Sequence, residues 1–306
     1  MGARDNGVAD ALVPLEPRAA TREELERVHP AAYLDAMDRF CRAGGGRIDA
    51  DTGATGESWD AAVLAAGAGV TAVEALDRGE ADAAFCAVRP PGHHATASRA
   101  MGFCLVNNVA VTAAALADRG ERVAIVDYDA HHGNGTQDLF YTDPRVLYVS
   151  LHEYPLYPGT GALSETGRGA GEWHTLNLPM PEGATGDVYL RAFRDLVEPV
   201  VRRFDPTWLL LSAGFDGHQR DPLTGLDLSS GDFSMLTAWL VRMAPPGRVI
   251  AFLEGGYDLQ ALADSTAATL GALAGVDVCP EAPTRGGPGA EVVAAAKQLW
   301  APVIDP

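Results

Sequence analysis

Five short apolar runs punctuate the chain: AAFCAV at 83–88, VAIV at 123–126, RVLYVSL at 145–151, WLLLS at 208–212 and RVIAFL at 248–253. None shows the strict apolar/polar alternation of a strand wetted on one face, so each predicts a strand buried on both faces of a parallel sheet. Longer segments with helical spacing lie between them. Thr21 with Glu24 three residues on reads as a capping box, opening a helix that stops before Pro30. Further helices are predicted over residues 31–42, 57–78, 106–117, 184–203, 232–243, 260–274 and 289–300. Residues 44–56, rich in Gly and Asp, are expected to form a loop, as is the glycine-rich, patternless stretch 153–175. A loop as long as the second usually lines a site. Residues 1–20 carry one short apolar run, ALVPLEP, with no clear period. Strands alternating with helical segments define an α/β protein, read here as a single domain over 1–306 with three αβα layers about a central, mostly parallel sheet.

Each run ends in polar or ionisable residues: His93 and His94; Asp127, Asp129 and His131; Ser150 and His152; Asp216; Glu254 and Tyr257. Ligands of open parallel sheets bind beyond the carboxyl ends of the strands, so one pocket should collect all five sets. Side chains alternate along extended backbone, which puts Asp127, Asp129 and His131 on one face. On that stretch alone the aspartates would also fit as helix caps; the convergence of five sets favours chemistry. Asp129 and His131 offer one oxygen and one nitrogen, a mixture that zinc accepts and that a calcium cage disfavours. Asp216, alone at the tip of its strand, is the expected third ligand, leaving a position open for water or substrate. Asp127, set deeper, is placed to orient a neighbour.

Pro90 and Pro91 stop the strand before them, and Gly92 turns the backbone so that His93 and His94 face a common space, an acid/base arrangement. Asp127 and Asn134 are the available orienting partners, one charged and one neutral, which would push the two imidazole pKa values apart. Tyr257, after Gly255 and Gly256, offers a hydroxyl to developing negative charge. His29, between the first two helices, is expected to be structural, and His152 to be a core histidine. The set suits hydrolysis of an amide or ester. No P-loop, no GxGxxG after a strand and no GxSxG elbow is present.

Composition narrows the partners. A formal charge of -18 argues against a nucleic-acid backbone, which needs a clustered positive face, and leaves cationic or basic-flanked substrates compatible. Cys41, Cys86, Cys104 and Cys279 form no CxxC pair and read as thiols of a reducing compartment. No apolar run approaches the ~20 residues that span a bilayer, and the opening MGARDNG lacks a signal peptide's apolar segment. A cytoplasmic protein without membrane association is the expectation.

The motifs RPPGHHA (89–95), MGFCLVNNVAV (101–111), VDYDAHHGNGTQ (126–137), SLHEYPLYPGTG (150–161), SAGFD with DPLTG (212–225) and LEGGY (253–257) resemble the zinc-dependent histone deacetylase family. The likeness is nearest to its class II and bacterial amidohydrolase branch and runs from about residue 21 to 275. It implies the arginase/deacetylase-like fold, with zinc on Asp129, His131 and Asp216. His94 is then the general base and later acid, His93 with Asp127 an electrostatic helper, and Tyr257 the oxyanion stabiliser. Gly102, Phe103 and Tyr157 match the walls of an acyl-lysine tunnel, and Asp51 the rim aspartate that holds substrate backbone. Potassium is implied at Asp127, Ser150, Leu151 and the backbone around Asp129 and His131.

Relative to the family, a further strand and a loop rich in His, Pro and Arg are missing ahead of this segment. Tyr stands at 257 where weakly active members carry His, and Leu223 where polyamine-selecting members carry Glu. The resemblance therefore implies a zinc amidohydrolase removing an acyl group, foremost acetyl, from lysine in a peptide or protein. A small acetylated amine as substrate and a non-catalytic acyl-lysine binder are the alternatives, with iron(II) as the alternative metal.

Overall fold

The computed structural model describes residues 8–304; the opening MGARDNG, expected to lack a signal peptide's apolar segment, lies outside the described residues. In chain order the elements are α1 (Arg22–Glu26), α2 (Ala31–Arg42), β1 (Gly45–Arg47), β2 (Gly53–Thr55), α3 (Ser58–Asp77), β3 (Ala84–Cys86), α4 (Asn108–Asp118), β4 (Val123–Asp127), α5 (Asn134–Phe140) and β5 (Val146–Glu153). There follow β6 (Thr175–Met180), α6 (Gly186–Ala192), a π-helical turn (Phe193–Val197), α7 (Glu198–Phe204), β7 (Trp208–Ala213), α8 (Ser230–Val241), β8 (Val249–Leu253), α9 (Leu259–Ala274) and α10 (Ala290–Ile304). The capping box is formed as expected, Thr21 Oγ1 accepting from Glu24 N and the Glu24 carboxylate accepting from Thr21 N.

Six strands pair in parallel in the order β3-β8-β7-β4-β5-β6. The period of two along each strand divides its apolar residues between two cores. Val123, Ile125, Tyr148, Leu210 and Phe252 pack with α3 and α4 on one face. Ala124, Val126, Val149, Leu209, Leu211 and Ala251 pack with α6, α7, α8 and α10 on the other. Both sides being dry explains the unbroken apolar runs: each fully buried Val, Leu or Ile contributes ~1.5–3 kcal/mol, and a polar residue at any of these positions would lose that and go unpaired. The first polar positions come where the strands emerge. Ser150, Asp127 and Ser212 stand in register across β5, β4 and β7 and mark the top of the core.

The chain steps from β4 outward to β5 and β6, then returns to lay β7 and β8 on the other side of β4. That reversal at β4/β7 is a topological switch point, where open α/β sheets leave a crevice for ligands.

Four local expectations are corrected. Residues 44–56 are not a plain loop: β1 and β2 pair antiparallel, Gly45 opposite Thr55. Three glycines and no apolar alternation hid them. The expected loop 153–175 ends in a sixth strand, β6, whose Leu176, Leu178 and Met180 reach the second core. It carries Pro179, tolerated because β6 is the sheet edge. Helix α5 was also unforeseen, its start being weakened as a helix signal by Gly133 and Gly135. Finally, α3 is an apolar helix of 20 residues, long and apolar enough by composition to cross a membrane. Its most apolar window is 72% buried within the protein, against the sheet and α4, which is how a core helix behaves.

Candidate active site

Asp129 and His131 leave the end of β4, and Asp216 leaves the end of the neighbouring β7. One donor atom from each lies within 4.8 Å of the others. His131 Nδ1 is 2.9 Å from Asp216 Oδ2 and 3.2 Å from Asp129 Oδ1. The backbone aims both carboxylates: Ala130 N donates to Asp216 Oδ1 at 2.9 Å, His131 N to Asp129 Oδ1 at 2.8 Å, and Gly255 N to Asp129 Oδ2 at 2.8 Å. Gly214 and Gly255 close the cradle, because a Cβ at Gly214 would collide with the Asp129 carboxylate and one at Gly255 with Asp216.

This donor set fits a divalent cation. Among the described residues, the basic groups within ion-pair distance of Asp129 and Asp216 are imidazoles, with no Lys or Arg. Burial and the Asp129 charge push Asp216 up to about 6. Burial alone would lower His131, but Asp216 and Asp129 overcome it and push the ring up to about 11. Two buried carboxylates are thus pulling positive charge onto the third donor, a role that a bound cation takes over by displacing the proton.

The histidine pair stands beside this set, with ring centroids 4.1 Å apart. His93 Nδ1 meets Asp127 Oδ2 at 3.1 Å, and Tyr148 donates to the same oxygen at 3.1 Å. Burial pulls His93 down, but Asp129, Asp127 and Glu254 outweigh it and hold the ring at about 10. His94 Nδ1 meets Asn134 Oδ1 at 2.8 Å. An amide oxygen only accepts, so Nδ1 carries the proton and the Nε2 lone pair is left bare. Burial, then the neighbouring His93, holds the His94 pKa well below the ordinary imidazole range. The charged and neutral partners thus separate the two imidazoles as the sequence led us to expect.

Around this pair the walls assemble. Tyr157 packs edge-on to His94 at 5.2 Å and to His131 at 6.3 Å. Phe103 packs edge-on to Tyr257 at 6.1 Å. Phe103 has φ +67°, rare for an aromatic, and its N–H is tied to Thr52 Oγ1 at 3.1 Å. A strained conformation of order 1–3 kcal/mol persists only where neighbours hold it, and here it turns the ring to the mouth. Thr52 in turn donates to Asp51 at 3.0 Å, which fastens exposed Asp51 to the Phe103 wall. Phe103 and Tyr157 are each 36% exposed and Leu223 49%, as rim groups should be.

Gly102, at φ +55°, lies so close to the His94 ring that a Cβ would collide with it. Gly102→Ala is therefore expected to displace His94 and lower kcat ~100-fold at unchanged metal content, since a misplacement near 1 Å can cost that much. Equal kcat in variant and wild type would show that the loop yields instead.

Two histidines are structural, as expected. His29 is buried, its Nδ1 meeting Ala97 O at 3.1 Å while Nε2 accepts from Asn107 N at 3.0 Å. His152 is buried between Ser150 Oγ and Gly161 O. Ser150 stands opposite Asp127 in the β4/β5 pairing, and Leu151 follows it along β5. Glu254 was noticed only as a strand-end acid. It is buried and accepts from Gly92 N at 2.7 Å, His93 N at 3.2 Å and Ser212 Oγ at 3.2 Å. It therefore braces the histidine turn from β8, a role visible only once β8 lies between β3 and β7.

The fold and site together define an α/β protein whose sheet presents two carboxylates and one histidine able to hold a metal ion, beside a bare imidazole. A histone deacetylase domain model matches residues 2–273, and the chain belongs to the histone deacetylase family, a family of deacetylases and amidohydrolases. The match starts well ahead of residue 21, where the motifs alone had placed it. The chain is 41% identical over 282 residues to a probable deacetylase of Archaeoglobus fulgidus, covering 90% of this chain and 78% of that one. It is 41% identical over 245 residues to a histone deacetylase-like amidohydrolase of Pseudomonas aeruginosa, covering 78% and 64%. The crystal structure of the HDA15 HD domain superposes with a TM-score of 0.90 at 34% identity, covering 99% of this chain and 86% of that one.

Proposed function

We propose that this protein is a zinc-dependent deacetylase that hydrolyses the amide of an acyl-lysine side chain, acetyl foremost, in a peptide or protein. The observation that carries the reading is His94, its Nε2 bare and its ring 6.0 Å from that of His131 in the Asp129, His131 and Asp216 cluster, beside Tyr157 and with the Phe103/Tyr257 pair at the mouth. Asp129, His131 and Asp216 would hold the zinc ion, which would supply Lewis acidity to the acyl carbonyl and the attacking water. His94 Nε2 takes the proton of the attacking water as its oxygen bonds to the acyl carbon, then returns it to the lysine nitrogen as the C–N bond breaks. Acetate and the free amine result. His93, kept charged by Asp129, Asp127 and Glu254, stabilises negative charge beside the reacting carbon. The Tyr257 hydroxyl donates to the acyl oxygen as it gains charge. Gly102, Phe103 and Tyr157 hold the lysine methylenes, and Asp51 the substrate backbone. Buried Asp127 with Ser150 and Leu151 offers the oxygen donors suited to potassium. Four free thiols accord with a cytoplasmic location.

The test is one assay with several arms. Purified protein is analysed for zinc and iron, then kcat/KM is measured on an acetyl-lysine peptide and on acetylspermidine, in potassium and in lithium salts. Zinc, hydroxamate-inhibited turnover of the peptide and a loss in lithium are expected. Absence of turnover rejects the reading, and a ratio favouring the polyamine rejects the inference from Leu223.

A further inference from the structure

Tyr257 stands on backbone with little stiffness of its own. Gly255 is tied to the metal side, its N–H donating to Asp129 Oδ2 at 2.8 Å and its carbonyl accepting from Phe215 N at 3.0 Å. Gly256 follows at φ +130°, a conformation that only glycine adopts freely, so those two bonds do not fix the direction taken by the next residue. The first hold beyond it is Tyr257 N donating to Asp221 Oδ2 at 2.7 Å. The other oxygen of the same carboxylate accepts from Leu223 N at 3.0 Å, at the rim. Asp221 is itself only 7% exposed. Its loop is clamped on both sides: before it by Asp221 N donating to the His218 carbonyl at 2.7 Å, and after it by the Thr224 hydroxyl donating to the Asp216 carbonyl and Gly225 N donating to Glu153 Oε2 at 2.7 Å.

A carboxylate is the group this junction requires. Leu223 N and Tyr257 N reach it, one at each oxygen, and a carboxylate accepts at both while presenting no donor; an asparagine would turn an NH₂ toward one of them. Charge-assisted bonds to backbone N–H are also about twice as strong as neutral ones.

We infer that Asp221 is a positioning residue for the deacetylation step, holding the rim at Leu223 and the hydroxyl-bearing Tyr257 in one register. The inference rests on the function proposed above. A substrate that clears Leu223 then meets Tyr257 at the depth where its acyl oxygen gains charge. The role is distinct from metal binding, since neither Asp221 oxygen is spent on Asp129, His131 or Asp216.

The test compares wild type, Asp221→Ala, Asp221→Asn, Tyr257→Phe and the double variant Asp221→Ala/Tyr257→Phe. Steady-state kinetics on the acetyl-lysine peptide are read beside metal content. Asp221→Ala is expected to lower kcat ~10- to 100-fold with KM within about twofold and metal content unchanged. The double variant is expected to be no slower than Tyr257→Phe alone, because placing a hydroxyl that is no longer there has no further effect. Multiplicative losses in the double variant would mean a general structural role and overturn the inference, as would Asp221→Ala turning over within about twofold of wild type. If the alanine variant fails to fold, Asp221→Asn, matched in size, carries the same cycle. Wild type that binds zinc yet turns over no acyl-lysine rejects the proposed function and this inference with it. An active wild type with multiplicative losses rejects the inference alone.

Discussion

Asp216→Ala protein is expected to retain less than about a tenth of the wild-type metal after purification, with zinc affinity lowered by more than ~100-fold, because losing even an outer-shell partner costs about 10- to 100-fold. Asp216 is one of three donors, and its replacement leaves Asp129 and His131 alone. The cradle walls closest to the two carboxylates, Gly214 and Gly255, carry no side chain to replace it. The loss also removes one of the two charges that attract the cation, in a buried setting where charges are weakly screened. Elemental analysis and titration with Zn²⁺ read the effect directly. A thermal melt in chelator separates metal loss from misfolding. Wild-type metal content in the variant would mean that Asp216 is not a ligand and that the site has been assembled from the wrong residues.

Tyr257→Phe is expected to lower kcat by ~10²–10³, the usual cost of removing one oxyanion donor, with KM and metal content close to wild type. The ring, packed against Phe103 at 6.1 Å, remains, so the mouth keeps its shape. Only the hydroxyl is lost. Burial, with the Asp216 and Asp129 charges behind it, pushes the Tyr257 pKa far up, so the group stays a donor through the neutral range. Its bond strengthens as the acyl oxygen gains charge, which places the whole loss in the transition state rather than in binding. Unchanged turnover would mean that the oxyanion is met elsewhere.

Much of this site is legible in single residues. Asp129, His131 and Asp216 were expected to converge and do; Asp127 and Asn134 were expected only as the charged and the neutral orienting partner of the histidine pair, and the structure gives Asp127 to His93, as the family resemblance implies, and Asn134 to His94. These readings succeed because donor chemistry and strand-end position are local properties. The histone deacetylase motifs add the walls, Phe103 and Tyr157, and the rim at Asp51; Thr52 ties Asp51 to Phe103, and Tyr157 packs against His94. Glu254 and Asp221 escaped because their work is done on backbone N–H groups of distant segments, at separations of 162 and 36 residues. Nothing in the composition around an acid says which N–H groups it will receive. Likewise β6 was missed because its signal is edge-strand alternation interrupted by Pro179, and α5 because its first turn holds glycines chosen for something other than helix propensity.

By itself the sequence determined five of the six strands of the main sheet, that this sheet is dry on both faces, and which end of those five strands carries chemistry, because apolar period and residue type are written into neighbouring positions. Only the tertiary structure decided that β4 lies beside β7, which closes the 85-residue gap between His131 and Asp216 to 2.9 Å. The physical reason is that burial is non-directional: VAIV and WLLL gain about the same from leaving water whichever strand lies alongside, so an apolar run names no neighbour. Strand order is settled by packing the two helical layers over one continuous sheet, and with it the position of every residue that acts across strands.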